Sequence, residues 1–299
     1  MDFVKEKHPL LLLIILLGFF IAGLFISQFF ILVSLYPVLG EKVLSLGSAI
    51  SNPTGNEGYR GILLYVQGCT SAISMILAPL LFINNYYKKK INFTKPFPNE
   101  ILFFLMAGIV IVSMPANAWV AEKNMAMELP SVFSFFENWA KSKENELKIL
   151  TEYLTNFETN TQFLWGLVVI ALIPAVGEEL LFRGCMQNIF QDWFKNKHLA
   201  VWTAAFIFSA IHLQFYGFFP RMLLGALFGY LYVWSGSLLI PITGHFVNNG
   251  FTLALIHAKN INHLDVDLET TRDIPFSLII FSIVSTVSML YIFYKKSDK

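Results

Sequence analysis

The chain has 299 residues, 56% of them hydrophobic and 14% charged, with 30 phenylalanines and a formal net charge of +1. A soluble domain carries about 25% charged residues, so this composition excludes an ordinary globular protein and reads as a polytopic membrane protein. The near-zero charge leaves no electrostatic footprint for nucleic acid. Cys69 and Cys185, both in apolar stretches, give no disulfide framework.

Residues 9–38 form one apolar run behind Lys5 and Lys7. A secretory h-region is about 7–15 residues long, so this run is expected to be an uncleaved first span. A Gly/Ser/Asn/Pro loop fills 39–59. Spans are then predicted at about 61–85, ending at Lys88-Lys89-Lys90, and at about 100–120, containing Pro115; each has the roughly 20 apolar residues that a crossing needs. Residues 121–160 break the pattern. Val132, Phe133, Phe135, Phe136 and Trp139 follow Pro130 as an interfacial segment would, and Leu147, Leu150, Leu154 and Phe157 recur at helical spacing among Glu144, Lys148, Glu152 and Glu158. This predicts an amphipathic helical hairpin on the membrane surface, a packing lid before a ligand-binding module.

Apolar spans resume at 162–190 and, by the same window, at about 199–215, 220–236, 239–257 and 275–294. The expected fold is all-α, with about eight transmembrane helices and the amphipathic insertion between the third and fourth. Residues 1–120 would hold three N-terminal helices, 121–160 the insertion, and 161–299 the helix core with the C-terminal helix. Orientation follows from Lys and Arg. Lys5, Lys7, the Lys88–Lys95 segment, Lys195, Lys197, Lys295, Lys296 and Lys299 outweigh the opposite segments once the long insertion is set aside, which puts both termini in the cytoplasm and the acidic Asp265–Asp273 loop outside. A multi-pass protein of a bacterial inner membrane is expected; an endoplasmic reticulum is the alternative, with no retention motif to choose between them.

The fourth span contains Ile173-Pro174-Ala175-Val176-Gly177-Glu178-Glu179-Leu180-Leu181-Phe182-Arg183-Gly184. A charge near the bilayer centre costs roughly 2.5–3.5 kcal/mol on insertion scales, so such residues are usually functional. Glu179 and Arg183 are i,i+4 neighbours and can pair. Glu178 lies about 100° round the helix, which leaves it free for another task. Pro174 should kink the helix one turn earlier. A structural ion pair between helices is the bland alternative. Later spans offer His212 after Phe208, and His245 with Asn249 one turn on. Glu178, His212, His245 and Asn249 could converge on a water: the carboxylate to take its proton, the imidazoles and the amide to orient it and to meet a developing oxyanion. A metal site is the other physical reading, with Glu178, His212 and His245 as ligands and a fourth position open, as in catalytic zinc. No compact His-Glu-x-x-His motif supports it.

Several residues read as structural. His198, His257 and His263 lie at span ends or in loops and are expected to be solvated or interfacial. Asn248 should serve packing, Arg221 should reach for headgroups, and Gly225 with Gly229 should mark a close helix contact. A catalytic Cys185 lacks a nearby His.

The three ordered motifs, Glu178-Glu179-x-x-x-Arg183, Phe208-x-x-x-His212 and His245-x-x-x-Asn249, resemble those of the CAAX prenyl protease type II family, also called CPBP or Abi intramembrane proteases. The resemblance covers roughly residues 162–257. It implies an eight-helix membrane fold, a site opening to the cytosol, and peptide-bond hydrolysis by a water that Glu178 activates and His212, His245 and Asn249 hold. Glu179 and Arg183 belong to the same motif. No cofactor is expected to be required, zinc being the alternative. The expected partners are a membrane-associated protein or peptide substrate and the lipid bilayer. Two other readings stand beside it: a non-catalytic bacteriocin-immunity or scaffold protein, and an ion-coupled transporter, which would often show internal repeats.

Overall fold

The computed structural model describes residues 8–47, 57–87, 100–261 and 275–297. The Lys88–Lys95 and Asp265–Asp273 segments used for orientation, and His263, lie outside them. Among the described residues every regular element is helical. The main helices are α1 (Pro9–Leu39), α2 (Arg60–Asn85), α3 (Glu100–Met125), α4 (Ser134–Thr155), α5 (Asn160–Phe194), α6 (Lys197–Ala210), α7 (Phe218–Ser235), α8 (Leu239–Ile261) and α9 (Phe276–Ser297). This is an all-α polytopic membrane protein.

The eight apolar stretches all form helices, with α4 as the insertion. Six of them, α1, α2, α3, α5, α8 and α9, are long and apolar enough to cross a membrane. The other two fall short. α6 has 14 residues and rises only about 21 Å, against a hydrocarbon core of about 30 Å. α7 has 18 residues and carries Arg221 in its first turn. The shortness of this pair matters, because His212 lies in the turn that joins them.

Lipid-facing and inward faces separate cleanly on the outer helices. Phe25 and Phe29 of α1 and Phe281 and Val287 of α9 are exposed, while Leu16, Gly23, Ser27 and Ile31 of α1 turn inward. At Gly23 a Cβ would lie 2.8 Å from the Ser74 Cα. Only glycine permits that approach of α1 to α2.

Each proline inside a helix frees backbone groups that need partners. In α3, Pro115 leaves the carbonyl of Val112 and the N–H of Ala116 to Ser282 of α9, whose Oγ donates to the first at 2.5 Å and accepts from the second at 3.2 Å. One buried hydroxyl thus repairs the kink and pins α9 to α3. In α5 the expected kink at Pro174 takes another form: the preceding residues Leu167–Leu172 widen into a π-helical turn. A second widening covers Leu180–Met186, directly after Glu179. There Asn188 Nδ2 donates to the carbonyls of Arg183 and Gly184 at 3.0 and 2.9 Å, groups that the wider turn releases.

The insertion is one helix and not a hairpin. α3 runs on to Met125, a short 3₁₀ turn follows at Ser131–Phe133, and α4 continues unbroken for 22 residues before Thr159 caps α5. The second arm expected from Leu147 to Phe157 is the C-terminal half of the same helix, because no breaker stands between Ser134 and Thr155. Its Leu150, Tyr153 and Leu154 pack on Leu63, Leu64 and Val169. At its N-terminal end Val132 and Phe135 stand exposed.

Two ends of the bundle can be told apart by their contacts. At one, His8 stacks edge-on against Trp193, Tyr87 reaches Asp192, His198 meets Tyr230, and Trp234 meets Tyr294. At the other, Arg60 bonds the carbonyl of Tyr153, Asn160 bonds His257, and Asn124 bonds the turn before α7. His8 and Tyr294 therefore share an end.

Candidate functional site

The buried centre of the molecule is an ion pair with an imidazole attached. Arg183 Nη1 donates to Glu179 Oε1 at 2.8 Å, and Arg183 and Glu179 are 1% and 0% exposed. Arg183 Nη2 donates to the carbonyl of Gly225 at 2.7 Å. Its guanidinium lies 5.0 Å from the Phe208 ring centre and 5.8 Å from that of Phe228. A buried cation is tolerable only when its donors and its faces are occupied, and these contacts do both.

His245 completes the group. Its Nδ1 lies 2.8 Å from the same Glu179 oxygen. A carboxylate only accepts, so Nδ1 carries the proton and the lone pair of a neutral ring falls on Nε2. Nε2 lies 3.8 Å from Glu178 Oε2. That distance exceeds a hydrogen bond, and a water beside the gap can touch both groups. Phe228 stacks on His245 at 5.3 Å and holds the ring plane. His245 therefore stands between the two adjacent glutamates. The sequence reading gave the imidazoles to Glu178 alone; the hydrogen bond that orients His245 goes to Glu179.

His212 lies beyond the end of α6, which stops at Ala210, and not within a fifth span running to 215. Its Nδ1 donates to the Phe208 carbonyl at 2.7 Å, so its Nε2 is the free nitrogen. The Phe208 ring touches both imidazoles, 5.0 Å from His212 and 6.3 Å from His245. Leu213 follows with φ +56°, the tight turn that ends the helix. On α8, Asn249 Oδ1 accepts from Asn248 Nδ2 at 3.1 Å, which leaves the Asn249 amide hydrogens to donate. The motif-neighbouring Asn248, read as packing, thus orients Asn249.

Other residues also differ from their sequence reading. Gly225 and Gly229 do make the close contact: a Cβ at Gly225 would lie 3.2 Å from Ala205, and one at Gly229 2.8 Å from Gln187 Oε1. Their bare carbonyls also accept from Arg183 and from Gln187, at 2.7 and 3.2 Å. No spacing rule signals that use. His257 is buried and stacked on Phe163 at 4.4 Å, because α8 runs on to Ile261 and carries it inside. Arg221 does not reach for headgroups; its Nη2 donates to Gln214 Oε1 at 2.7 Å.

For a metal, the donor chemistry is mixed. Both imidazoles present an Nε2 lone pair and give Nδ1–H to an acceptor, as metal-bound histidines do. Among the described residues, however, no three His, Cys, Asp or Glu side chains are gathered closely enough to hold an ion. This donor set does not fit a metal ion.

Fold and site together define a helical membrane protein with a buried Glu–Arg–His cluster at the level of a short helix pair. Residues 160–251 match the family described as type II CAAX prenyl endopeptidase Rce1-like, which is the resemblance the three motifs carry. Over these residues the chain is similar to CAAX-type intramembrane proteases, and Glu178, Glu179, Arg183, Phe208, His212, His245 and Asn249 all fall within the match. The uncharacterized protein YpbD of Bacillus subtilis (strain 168) is 33% identical over 85 residues, which are 27% of this chain and 40% of that protein. The chain thus spans well under half the length of that curated relative. No solved structure matches.

Proposed function

We propose that the protein is an intramembrane endopeptidase that hydrolyses peptide bonds with a water activated by Glu178. The observation that carries the reading is the His245 imidazole, bonded through Nδ1 to Glu179 and facing Glu178 through Nε2. Glu179, neutralised by Arg183, fixes the tautomer and orientation of His245. Glu178 is left without a cation of its own and takes the proton of the water. As the water's oxygen bonds to the scissile carbonyl carbon, the carbonyl oxygen becomes an oxyanion. The Asn249 amide is the donor suited to meet it, since both Nδ1–H groups of the histidines are occupied. The proton then passes from Glu178 to the departing amine as the C–N bond breaks. With one hydrogen going to Glu178, the water has a single O–H left, which donates to one imidazole Nε2 at a time, that of His245 or that of His212, and so holds the water between them. Substrates are membrane-associated proteins or peptides that reach the site from the bilayer.

Orientation is proposed from Lys and Arg, with both termini in the cytoplasm of a bacterium. That arrangement puts α4 and the 211–217 turn outside, since the turn lies at the end of the bundle opposite His8, whereas the resemblance implies a cytosolic opening. Labelling of a Leu213→Cys variant in intact cells by an impermeant maleimide decides between the two, since a labelled cysteine lies outside. For activity, the test is purified protein in proteoliposomes given a peptide library, read by mass spectrometry. New termini that vanish in Glu178→Gln support the peptidase. Ion flux without cleavage would favour the transporter, and neither would favour the immunity or scaffold reading.

A further inference from the structure

The 211–217 turn carries His212 and is anchored through Gln214 to the insertion and to α7. Gln214 Nε2 donates to Glu144 Oε1 of α4 at 3.1 Å, and Gln214 Oε1 accepts from Arg221 Nη2 of α7 at 2.7 Å. The amide therefore has an anion at its donor end and a cation at its acceptor end. Arg221 lies flat against Gly217, where a Cβ would come within 2.9 Å of Nη2. Glycine at 217 is what lets the guanidinium cross the turn. Secondary contacts run in parallel: Phe136 meets Phe215 edge-on at 5.4 Å, and Asn124 of α3 donates to the Phe215 carbonyl and accepts from the Phe219 N–H, at 3.2 and 3.0 Å. Glu144 Oε2 and Arg221 Nη1 are buried with no hydrogen-bond partner among the described residues. Two opposite charges held apart by one amide, each with a valence to spare, make a connection that depends on polarity and not on packing alone.

We infer that Glu144, Gln214 and Arg221 form a relay by which α4 positions His212, so that the insertion is part of the working site. The inference rests on the peptidase reading for its activity readout. It gives Glu144 and Arg221 the role of positioning residues, acting through the turn and touching no substrate.

A charge swap tests the polarity. An amide has one donor end and one acceptor end, so it can flip to serve the two charges when they are exchanged but cannot serve two like charges. Glu144→Arg and Arg221→Glu alone should each lower kcat roughly 10–100-fold, the scale of a small misplacement of a reacting group, with KM little changed. Each should also raise several-fold the maleimide reactivity of a Leu213→Cys reporter in a background lacking the two native cysteines. The double swap should return both readouts towards wild type. If a single swap does not fold, Gln214→Leu cuts both bonds without adding charge and should show the same kcat loss and the same rise in labelling. A double swap no better than the product of the singles, or a Gln214→Leu protein with wild-type kcat and labelling, overturns the relay. Labelling that follows the expected pattern in a protein that cleaves nothing keeps the relay and overturns the peptidase reading instead.

Discussion

Two i,i+4 ion pairs in this protein have the same length and opposite meaning. Arg183–Glu179 in α5 and Lys141–Glu137 in α4 both measure 2.8 Å. The first is enclosed, 1% and 0% exposed, with the Gly225 carbonyl, two aromatic rings and His245 around it. In the second, Lys141 is 58% exposed and Glu137 15%, so water reaches the pair from the lysine side, while the Tyr216 hydroxyl meets Glu137 at 3.5 Å. Distance does not rank them. What ranks them is what is left behind when one partner goes: in α4 a carboxylate that still borders solvent and keeps the Tyr216 hydroxyl, in α5 a charge with nowhere to put its field.

Breaking the α5 pair should give the largest effect on stability. Glu179→Gln or Arg183→Met should each cost about 3–5 kcal/mol, as lost halves of buried pairs do. The double variant Glu179→Gln with Arg183→Met should cost less than the sum, because neither charge is stranded. Melting of the four proteins in detergent gives the coupling, and strictly additive shifts would contradict it. Next comes the proline repair in α3. Ser282→Ala leaves the Ala116 N–H and the Val112 carbonyl without their partner and should cost about 1–3 kcal/mol, read as a lower melting temperature. The exposed pair in α4 should contribute least. Lys141→Ala should shift melting only slightly at neutral pH. The hydrogen bond from Lys141 holds the Glu137 carboxyl below its ordinary value, so the pair stabilises above the usual carboxylate range and the contribution fades as pH falls through that depressed value. Variant and wild type should therefore converge in acid. For turnover, removal of metal should have the smallest effect: strong chelator is expected to leave activity in place, and loss that stoichiometric zinc restores would overturn this.

How far the sequence revealed these features depends on whether the cause is local. The eight apolar stretches and the Glu179–Arg183 pair follow from length and from i,i+4 spacing, and the structure contains both. Continuity through α4 is not legible locally, since two amphipathic halves of one helix look like the two arms of a hairpin when read piecewise. The π-helical turns flanking Glu178 and Glu179 are invisible to a period of about 3.6 residues. Contacts made across helices were harder still. That His245 would bond Glu179, that Gly225 would lend its carbonyl to Arg183, and that Arg221 would be tied to Gln214 depend on which helices meet and at what depth. The clue available for Asn248 was its adjacency to Asn249, and for Arg221 a glycine one helical turn before it at 217.

The central claim is that the two adjacent glutamates divide the work, Glu179 holding the structure with Arg183 and Glu178 moving the proton. The most direct measurement is Glu178→Gln, which keeps the shape of the side chain and removes the base, with turnover on a cleaved peptide and melting temperature read from the same preparation. The division predicts a protein that melts close to wild type and turns over about 10²–10⁴-fold more slowly, the scale of a lost general base. Near-normal turnover in that variant would contradict it.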